Sequence, residues 1–220
     1  MTLAADYPWV MLFVLAIVLG SSASPVSSAE IAAQESLFRS SAWTNLYVGA
    51  ATDYNQASAA WYWELFRHHY DLTTAENGCK MKQVMWNGWC GLPNAVFWCG
   101  PKFDKCDSIH RHVDRGFGKA WRGHALIWGA PDSSLSWHND LDSNATLMRD
   151  FIDDYVTTVV QEYSGGSDAP YCWDVVNEAV SDTASGIDTF ASSLKDSDYT
   201  RALGADYIPI SLNAARSVCG

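Results

Sequence analysis

The longest periodic run of apolar residues in the chain covers residues 143–163 and predicts an α-helix. Apolar side chains recur at every fourth position, and a second apolar row lies beside the first, which gives one broad face for burial. The two rows are Leu147, Phe151, Tyr155 and Val159, and Met148, Ile152, Val156 and Val160. Ser143 and Asn144 are both residue types that cap the start of a helix. The sequence Ser-Gly-Gly-Ser at 164–167 predicts its end.

A short apolar run at Trp173–Ala179 predicts a strand. Val175 and Val176 are adjacent β-branched residues, which indicates a strand that is buried on both faces, as in a parallel sheet. The run ends in Asn177 and Glu178. Because α/β barrels carry their chemistry at the carboxyl ends of the strands, Glu178 is a candidate catalytic residue. The alternative is a surface glutamate that opens the loop after a core strand.

Strand-like and helix-like segments alternate along the rest of the chain. Residues 56–70 and 107–117 are predicted to form two further helices, and no long linker or internal repeat separates the segments. This alternation is typical of α/β proteins with a parallel sheet. Residues 79–102 fit neither period and contain several cysteines. We therefore expect them to form an insertion that disulfides hold in place.

The first residues of the chain are predicted to be a signal peptide that covers residues 1–29. Val10–Leu19 is an unbroken apolar stretch, about half of the ~20 residues that a membrane span needs. Small residues follow it, and cleavage before Glu30 would suit a signal peptidase. Because Asp6 and no Lys or Arg precede the stretch, an uncleaved anchoring segment is the alternative. Cleavage would leave residues 30–220 as one secreted domain without a membrane segment.

Charge and cysteine content narrow the function further. The formal net charge of −11 argues against nucleic acid and anionic lipid as partners and is compatible with a neutral polysaccharide. The cysteines are Cys79, Cys90, Cys99, Cys106, Cys172 and Cys219. In a secreted chain this even number suggests disulfides, whose pairing the sequence leaves open. No metal site is expected, because no close Cys-x-x-Cys pair occurs, and no cofactor motif occurs. Asn144 opens a glycosylation sequon.

Four motifs follow one another in the order found in the family 10 glycoside hydrolases, chiefly endo-β-1,4-xylanases. Trp173–Ala179 resembles the acid/base segment of that family. The other three matches are Leu46–Ala51 with the first barrel strand, Asp71–Lys80 with the second and its Glu-Asn-x-x-Lys signature, and Arg122–Trp128 with the third. Leu203–Ile208 and Ala214–Arg216 are similar to the helix after strand four. Each motif is weak alone, but four in order are a specific signal.

The resemblance implies a (β/α)8 TIM barrel, which has eight parallel strands in about 250 residues. Only about four of the eight strand–helix units are recognisable, so the expected fold is a partial barrel of the α/β class. Residues 30–220 are then expected to be a truncated catalytic domain with the insertion at about 79–102. Half a barrel leaves two strand edges unpaired, which predicts self-association through those edges. A product without a stable fold is the alternative.

The resemblance also implies a reaction, the endo-hydrolysis of xylan with retention of configuration. Glu178 would be the general acid that later becomes the base, with a pKa raised by burial and by a second carboxylate. In the family the nucleophile lies in a Thr-Glu-Leu-Asp-like run on strand seven. No such run occurs here. We therefore assign no nucleophile in this chain, and the isolated 220-residue chain is expected to be inactive.

Six further residues are implied to bind the substrate. Asn177 and His124 resemble residues at subsite −1, where Asn177 would bond the sugar 2-hydroxyl. Lys80 resembles a lysine that contacts sugar hydroxyls there, and Trp128 is expected to pack beside the site. Glu76 and Asn77 resemble the pair at subsite −2. The structural alternatives are a turn asparagine, a core histidine and solvated loop residues. The alternative function is a non-catalytic secreted protein that binds xylan or an inhibitor in the same groove.

Overall fold

The structure, a computed structural model, describes residues 48–56, 59–85, 100–114, 121–129, 140–165, 169–182 and 189–218, with Ser27, Ala29, Leu135 and Trp137 as isolated positions. Apart from Ser27 and Ala29, the predicted signal peptide lies outside the described residues. Residues 86–99 of the predicted insertion, with Cys90 and Cys99, lie outside them too, as does Cys219.

Four strands form one parallel sheet in the order in which they occur along the chain. They are β1 Gly49–Thr52, β2 Leu72–Ala75, β3 Trp121–Trp128 and β4 Cys172–Asn177, each hydrogen-bonded to the next. Helical segments connect consecutive strands, as parallel pairing requires. The predicted α/β class and the four parallel strands are confirmed.

The helices lie between and after the strands. They are α1 Ala60–His69, α2 Met81–Val84, α3 Asp104–Asp114, α4 Ala145–Glu162, α5 Asp198–Leu203 and α6 Tyr207–Val218, with short 3-10 turns at Tyr54–Gln56, Ala191–Ser193 and Gly204–Asp206. The helix predicted over 56–70 begins only at residue 60, after the first of these turns. The helix predicted over 107–117 begins three residues earlier, at Asp104, whose carboxylate suits the first turn of a helix.

Helix α4 forms the outer layer together with α6, against which it packs. Its buried residues are Met148, Phe151, Ile152, Tyr155, Val156, Val159 and Val160, which belong to the two apolar rows that the sequence predicts. Of the two predicted caps, Asn144 is the one used, because its side chain accepts a hydrogen bond from the Leu147 amide at 3.1 Å. The period and the cap of this helix were therefore predicted correctly.

Strand β4 departs from the prediction that it is buried on both faces. Val175 and Val176 are only half-buried. Within the described residues β4 has one neighbouring strand, β3, and lies at the edge of the sheet. Because one side of β4 is unpaired there, both faces of the strand keep part of their surface accessible. The burial expected from the β-branched pair was wrong for this reason.

Strand β3 shows which face of the sheet the helices cover. Trp121 and Gly123 are buried, whereas Arg122 and His124 between and after them are half-buried. Because neighbouring side chains of a strand point to opposite faces, Arg122 and His124 lie on the face away from the helices. On the helix side, the Trp173 ring packs directly on Gly123, where an added Cβ would lie 2.2 Å from the ring.

One disulfide links the start of the predicted insertion to helix α3. Cys79 pairs with Cys106, with their Cα atoms 4.5 Å apart. Cys172 is exposed and carries a free thiol. Within the described residues, no helix is long and apolar enough to cross a membrane, and no group of three His, Cys, Asp or Glu side chains is arranged to hold a metal ion.

The packing of Trp173 on Gly123 leads to a test of stability. Gly123→Ala should lower the free energy of unfolding by about 1–3 kcal/mol, because the new methyl group overlaps the indole and forces β3 and β4 apart. Urea unfolding followed by circular dichroism measures the change. Gly165→Ala is the matched control, since nothing lies within 4 Å of its Cβ position, and it should leave stability unchanged or slightly raised. Equal stabilities for the two variants would contradict the packing.

Candidate active site

Six of the residues selected from the sequence gather at one edge of the sheet. Glu76, Asn77 and Lys80 follow β2, Trp128 is the last residue of β3, and Asn177 and Glu178 close β4. The four strands are parallel, so all of these positions lie at their carboxyl ends. Trp128 and Asn177 are register partners across β3 and β4. This is the edge at which α/β barrels place their active sites.

A chain of polar contacts joins residues from all four strand ends. The Asn77 amide donates to Asp53, which follows β1, at 2.9 Å, and Lys80 Nζ donates to Asn77 Oδ1 at 3.1 Å. The same ammonium lies 4.4 Å from the centre of the Trp128 ring, within the range of a cation–π interaction. The indole nitrogen of Trp128 donates to Glu178 Oε2 at 3.0 Å. The structure thus brings Asn77, Lys80, Trp128 and Glu178 together.

Glu178 stands out in this chain by its backbone and its partners. Its φ is 50°, in the left-handed region that non-glycine residues adopt rarely and at a cost of about 1–3 kcal/mol. The turn breaks the alternation of β4 and brings the carboxylate over Trp128. Lys195 Nζ lies 3.0 Å from the same oxygen, Oε2, and 3.6 Å from Asp182. The side chain of Glu178 remains 50% exposed, so it is accessible to a substrate.

The charge state of Glu178 differs from the expectation. Hydrogen bonds from Trp128 and Lys195 lower its pKa below the ordinary value, and the charges of Lys195 and Lys80 act in the same direction. The sequence analysis expected a raised pKa from burial and from a neighbouring carboxylate. Both conditions are missing within the described residues, because the side chain is half-exposed and its hydrogen-bond partners are donors. In this structure Glu178 is a carboxylate at neutral pH.

A second polar cluster lies on the open face of the sheet and contains His124. Both oxygens of Asp174 accept hydrogen bonds from Arg122 Nε at 2.9 Å, and Arg122 Nη2 also donates to Oδ1. His124 Nδ1 lies 2.8 Å from Oδ2. Burial raises the pKa of Asp174, but the bonds to His124 and Arg122 outweigh it, so the pKa is lowered overall. Asp174 therefore holds the imidazole of His124 in one orientation.

Three selected residues lie outside these side-chain networks among the described residues. Asn177 is half-buried at the end of β4, and Glu76 is exposed, while its backbone amide donates to the Thr52 carbonyl at 2.9 Å. Asn144 is exposed at the start of α4, where its Oδ1 is engaged as the helix cap. Its amide nitrogen is the atom that a glycan would need.

Four residues of the site were not selected from the sequence. Arg122 and Asp174 had a signal, since Arg122 and His124 are two apart on a strand and a charged residue inside an apolar strand needs a partner. For Asp53 the only signal in the sequence was its position directly after β1. Lys195 had none, because its contact with Glu178 spans a separation of 17 residues and depends on how the loop folds back.

Comparison with known proteins agrees with this arrangement. Residues 36–220 match the sequence profile of Glycosyl hydrolase family 10. Endo-1,4-beta-xylanase B of Paenibacillus barcinonensis is 31% identical over 157 residues, which are 69% of this chain and 40% of that enzyme. Endo-1,4-beta-xylanase A of Thermotoga maritima is 29% identical over 155 residues, which are 70% of this chain and 13% of that enzyme.

A solved structure supports the fold. The crystal structure of xylanase XynB from Paenibacillus barcinonensis matches with a TM-score of 0.61 and 27% identity, and the match covers 90% of this chain and 50% of that chain. The chain therefore spans half or less of the length of these relatives. The predicted resemblance and the partial (β/α)8 fold are confirmed.

The Asp174 cluster generates a prediction about stability and pH. Asp174→Asn should lower the free energy of unfolding at pH 7 by about 1–3 kcal/mol, because Arg122 loses its charge partner. The folded-state pKa of Asp174 is lowered, so its contribution is present above the unfolded pKa of about 3.9 and is lost as the pH falls below it. Urea unfolding at pH 7 and pH 3 should show a gap between wild type and variant that shrinks at pH 3.

An exposed acid provides the control for that measurement. Asp196 is 83% exposed and pairs with Arg201 at 2.9 Å, and Asp196→Asn should change stability by less than about 1 kcal/mol. A gap for Asp174→Asn that is as small as this, or that is the same at both pH values, would contradict the cluster.

Proposed function

The chain belongs to glycosyl hydrolase family 10, and we propose that it is an endo-β-1,4-xylanase-type enzyme that cleaves xylan with retention of configuration. The observation that carries the proposal is the position of Glu178 at the carboxyl end of β4, with Oε2 bonded to Trp128 from the end of β3. Both named relatives are endo-1,4-beta-xylanases, which supports xylan as the substrate class.

In the proposed reaction Glu178 is first an acid and then a base. It protonates the glycosidic oxygen as that bond breaks, and later takes a proton from the water that releases the sugar. A second carboxylate, about 5–5.5 Å away, attacks the anomeric carbon in a retaining enzyme. Residues 1–220 contain no Thr-Glu-Leu-Asp-like run, so we expect these residues alone not to turn over xylan. The second carboxylate would also offset the lowered pKa of Glu178, because a like charge favours the protonated form.

The neighbouring residues would bind the sugars. Asn177 would hold the 2-hydroxyl at subsite −1, where His124 and Lys80 would also contact hydroxyls. Glu76 and Asn77 would form subsite −2. For Asn177, Lys80, Glu76 and Asn77, support comes from their shared place at the carboxyl edge. Asn77 and Lys80 are also joined by a hydrogen bond, and His124 is held in one orientation by Asp174.

Secretion belongs to the same proposal. A signal peptide over residues 1–29 would direct the chain out of the cell, where Asn144 is a candidate for glycosylation. The disulfide between Cys79 and Cys106 supports an oxidising compartment. The outer edges of β1 and β4 have no further strand beside them among the described residues, and we propose that they allow self-association.

Binding without turnover is the second candidate function. It is favoured by the ion pair of Glu178 with Lys195, which holds the carboxylate in its charged form. A protein of this kind would keep the groove for xylan, or for an inhibitor of xylanases, without cleaving the glycosidic bond. Binding of xylo-oligosaccharides with no release of reducing ends would favour it.

The decisive variant is Glu178→Gln, assayed in the 220-residue chain and in any longer chain that the transcript encodes in frame beyond the codon for Gly220. In the active chain it should slow xylan hydrolysis by about 10²–10⁴-fold, the usual contribution of general acid–base catalysis. An aryl xylobioside with a good leaving group should lose far less in the first step, because that group leaves without a proton. Azide should then restore turnover by replacing the water that needs a base.

Glu162→Gln is the matched control, since Glu162 is an exposed residue at the end of α4 and should leave every rate unchanged. Full activity of Glu178→Gln on xylan would rule out Glu178 as the acid. Absence of hydrolysis in every available chain, together with binding, would replace the enzyme by the binding protein.

A further inference from the structure

The segment that follows Glu178 and the segment that precedes Lys195 lie side by side and are hydrogen-bonded to each other. Val180 and Leu194 form an isolated antiparallel bridge. Beside it the Ser181 amide donates to the Ser193 carbonyl at 2.8 Å, and the Lys195 amide donates to the Ala179 carbonyl at 2.9 Å. These bonds bring the backbone of Lys195 next to the end of β4, although the two positions are far apart in sequence.

The other side of Lys195 is fixed by the start of helix α5. Ser197 caps this helix, with its hydroxyl accepting from the Thr200 amide and its own amide donating to Thr200 Oγ1 at 2.8 Å. The same Thr200 hydroxyl lies 3.0 Å from the Lys195 carbonyl. Lys195 is therefore held through both its amide and its carbonyl, and its side chain extends from an anchored position.

The two oxygens of the Glu178 carboxylate have different surroundings. Oε2 accepts two hydrogen bonds, from Trp128 Nε1 and from Lys195 Nζ, each at 3.0 Å. Oε1 accepts none from the described residues. A proton bound to Oε2 would have to displace one of two donors, whereas a proton bound to Oε1 displaces nothing.

We infer that Lys195 is a positioning residue for Glu178, which together with Trp128 holds Oε2 in place and leaves Oε1 as the oxygen that carries the catalytic proton. The pairing of Lys195 with Glu178 stands on its own geometry, while the catalytic role of Oε1 rests on the proposed function. In the acid step, the Oε1–H bond breaks as the glycosidic oxygen takes the proton and the electrons of its bond to the anomeric carbon. In the base step, Oε1 takes a proton of the attacking water as the water oxygen bonds to the anomeric carbon, and the bond from that carbon to the second carboxylate breaks with its electrons returning to that carboxylate.

The charged groups around Glu178 set the direction of the test. Lys195 from the loop and Lys80 from the segment after β2 both lower its pKa, and the hydrogen bond from Trp128 of β3 acts with them. Asp182, which is 92% exposed, lies 3.6 Å from Lys195 Nζ and competes with Glu178 for this ammonium group. Removing Lys195 should therefore raise the pKa of Glu178, whereas removing Asp182 should leave it unchanged or lower it.

The experiment is a pH titration of the Glu178 carboxyl carbon by NMR in the 220-residue chain labelled with ¹³C-glutamate. Glu178→Gln identifies the resonance by its loss. In Lys195→Met the pKa should rise toward that of an exposed glutamate, because Trp128 and Lys80 still lower it but Lys195 no longer does, and Lys195→Arg should return it toward the wild-type value. Asp182→Asn is the control, in which the pKa of Glu178 should be unchanged or lowered.

An unchanged pKa in Lys195→Met, or an equal rise in Asp182→Asn, overturns the inference. Should Lys195→Met not fold, the chemical shift of Lys195 ¹⁵Nζ is measured against pH in the wild-type chain. If the two groups are hydrogen-bonded, this shift must change as Glu178 titrates. Absence of that coupling also overturns the inference.

A chain that hydrolyses xylan adds a catalytic readout. The alkaline limb of kcat/KM reports the pKa of the acid in the free enzyme, so Lys195→Met should shift this limb to higher pH. An unshifted limb overturns the role of Lys195 in the reaction. The NMR titration needs no turnover, so the expected pKa changes together with absence of hydrolysis in every available chain would refute the proposed function and leave the pairing intact.

Discussion

The parallel pairing of β3 with β4 is the constraint on which the whole site depends. It sets His124 across from Asp174 and, after a shift in the register, Trp128 beside Asn177. The sequence permits this pairing at Gly123, because only a residue without a side chain leaves room for the Trp173 ring against β3. A slip by one residue would turn Arg122 and His124 toward the helices and separate Trp128 from the end of β4. The packing on the helix-covered face thus determines the positions of the polar residues at the strand ends.

In the proposed reaction, the electrostatic surroundings of Glu178 favour only one of the two protonation states that it would need. Two donors on one oxygen and two nearby ammonium groups favour the carboxylate, which suits the base step and opposes the acid step. A retaining enzyme needs both forms in turn. A second carboxylate close by would favour the protonated form of Glu178. Its negative charge would be lost when it forms the glycosyl intermediate, which is the stage at which Glu178 must act as a base. In the proposed reaction, the lysine and the second carboxylate would thus favour opposite protonation states of Glu178 at successive steps.

Local patterns in the sequence were sufficient for the elements and for most of the candidate site. Helix α4 was predicted with its apolar face because its period is regular, and the strand ends were found because an Asn-Glu pair after β-branched residues is a local signal. Lys195 was missed because its contact with Glu178 joins positions 17 residues apart, and Asp53 was missed because its contact with Asn77 depends on the pairing of β1 with β2. The burial of Val175 and Val176 and the pKa of Glu178 were wrong for a related reason, since both depend on which groups surround β4 in space.

The two faces of the sheet are stabilised by different interactions. On the helix side, Trp121, Gly123 and Trp173 form an apolar contact that stabilises the strands by burial. On the other side, Arg122, His124 and Asp174 remain half-buried and are held by charge-assisted hydrogen bonds. Such a cluster gains strength as water is excluded from it, because its ion pair is screened less. Anything that covers the open face, whether further strands or a bound polysaccharide, would therefore tighten the orientation of His124 and stiffen the edge on which Glu178 stands.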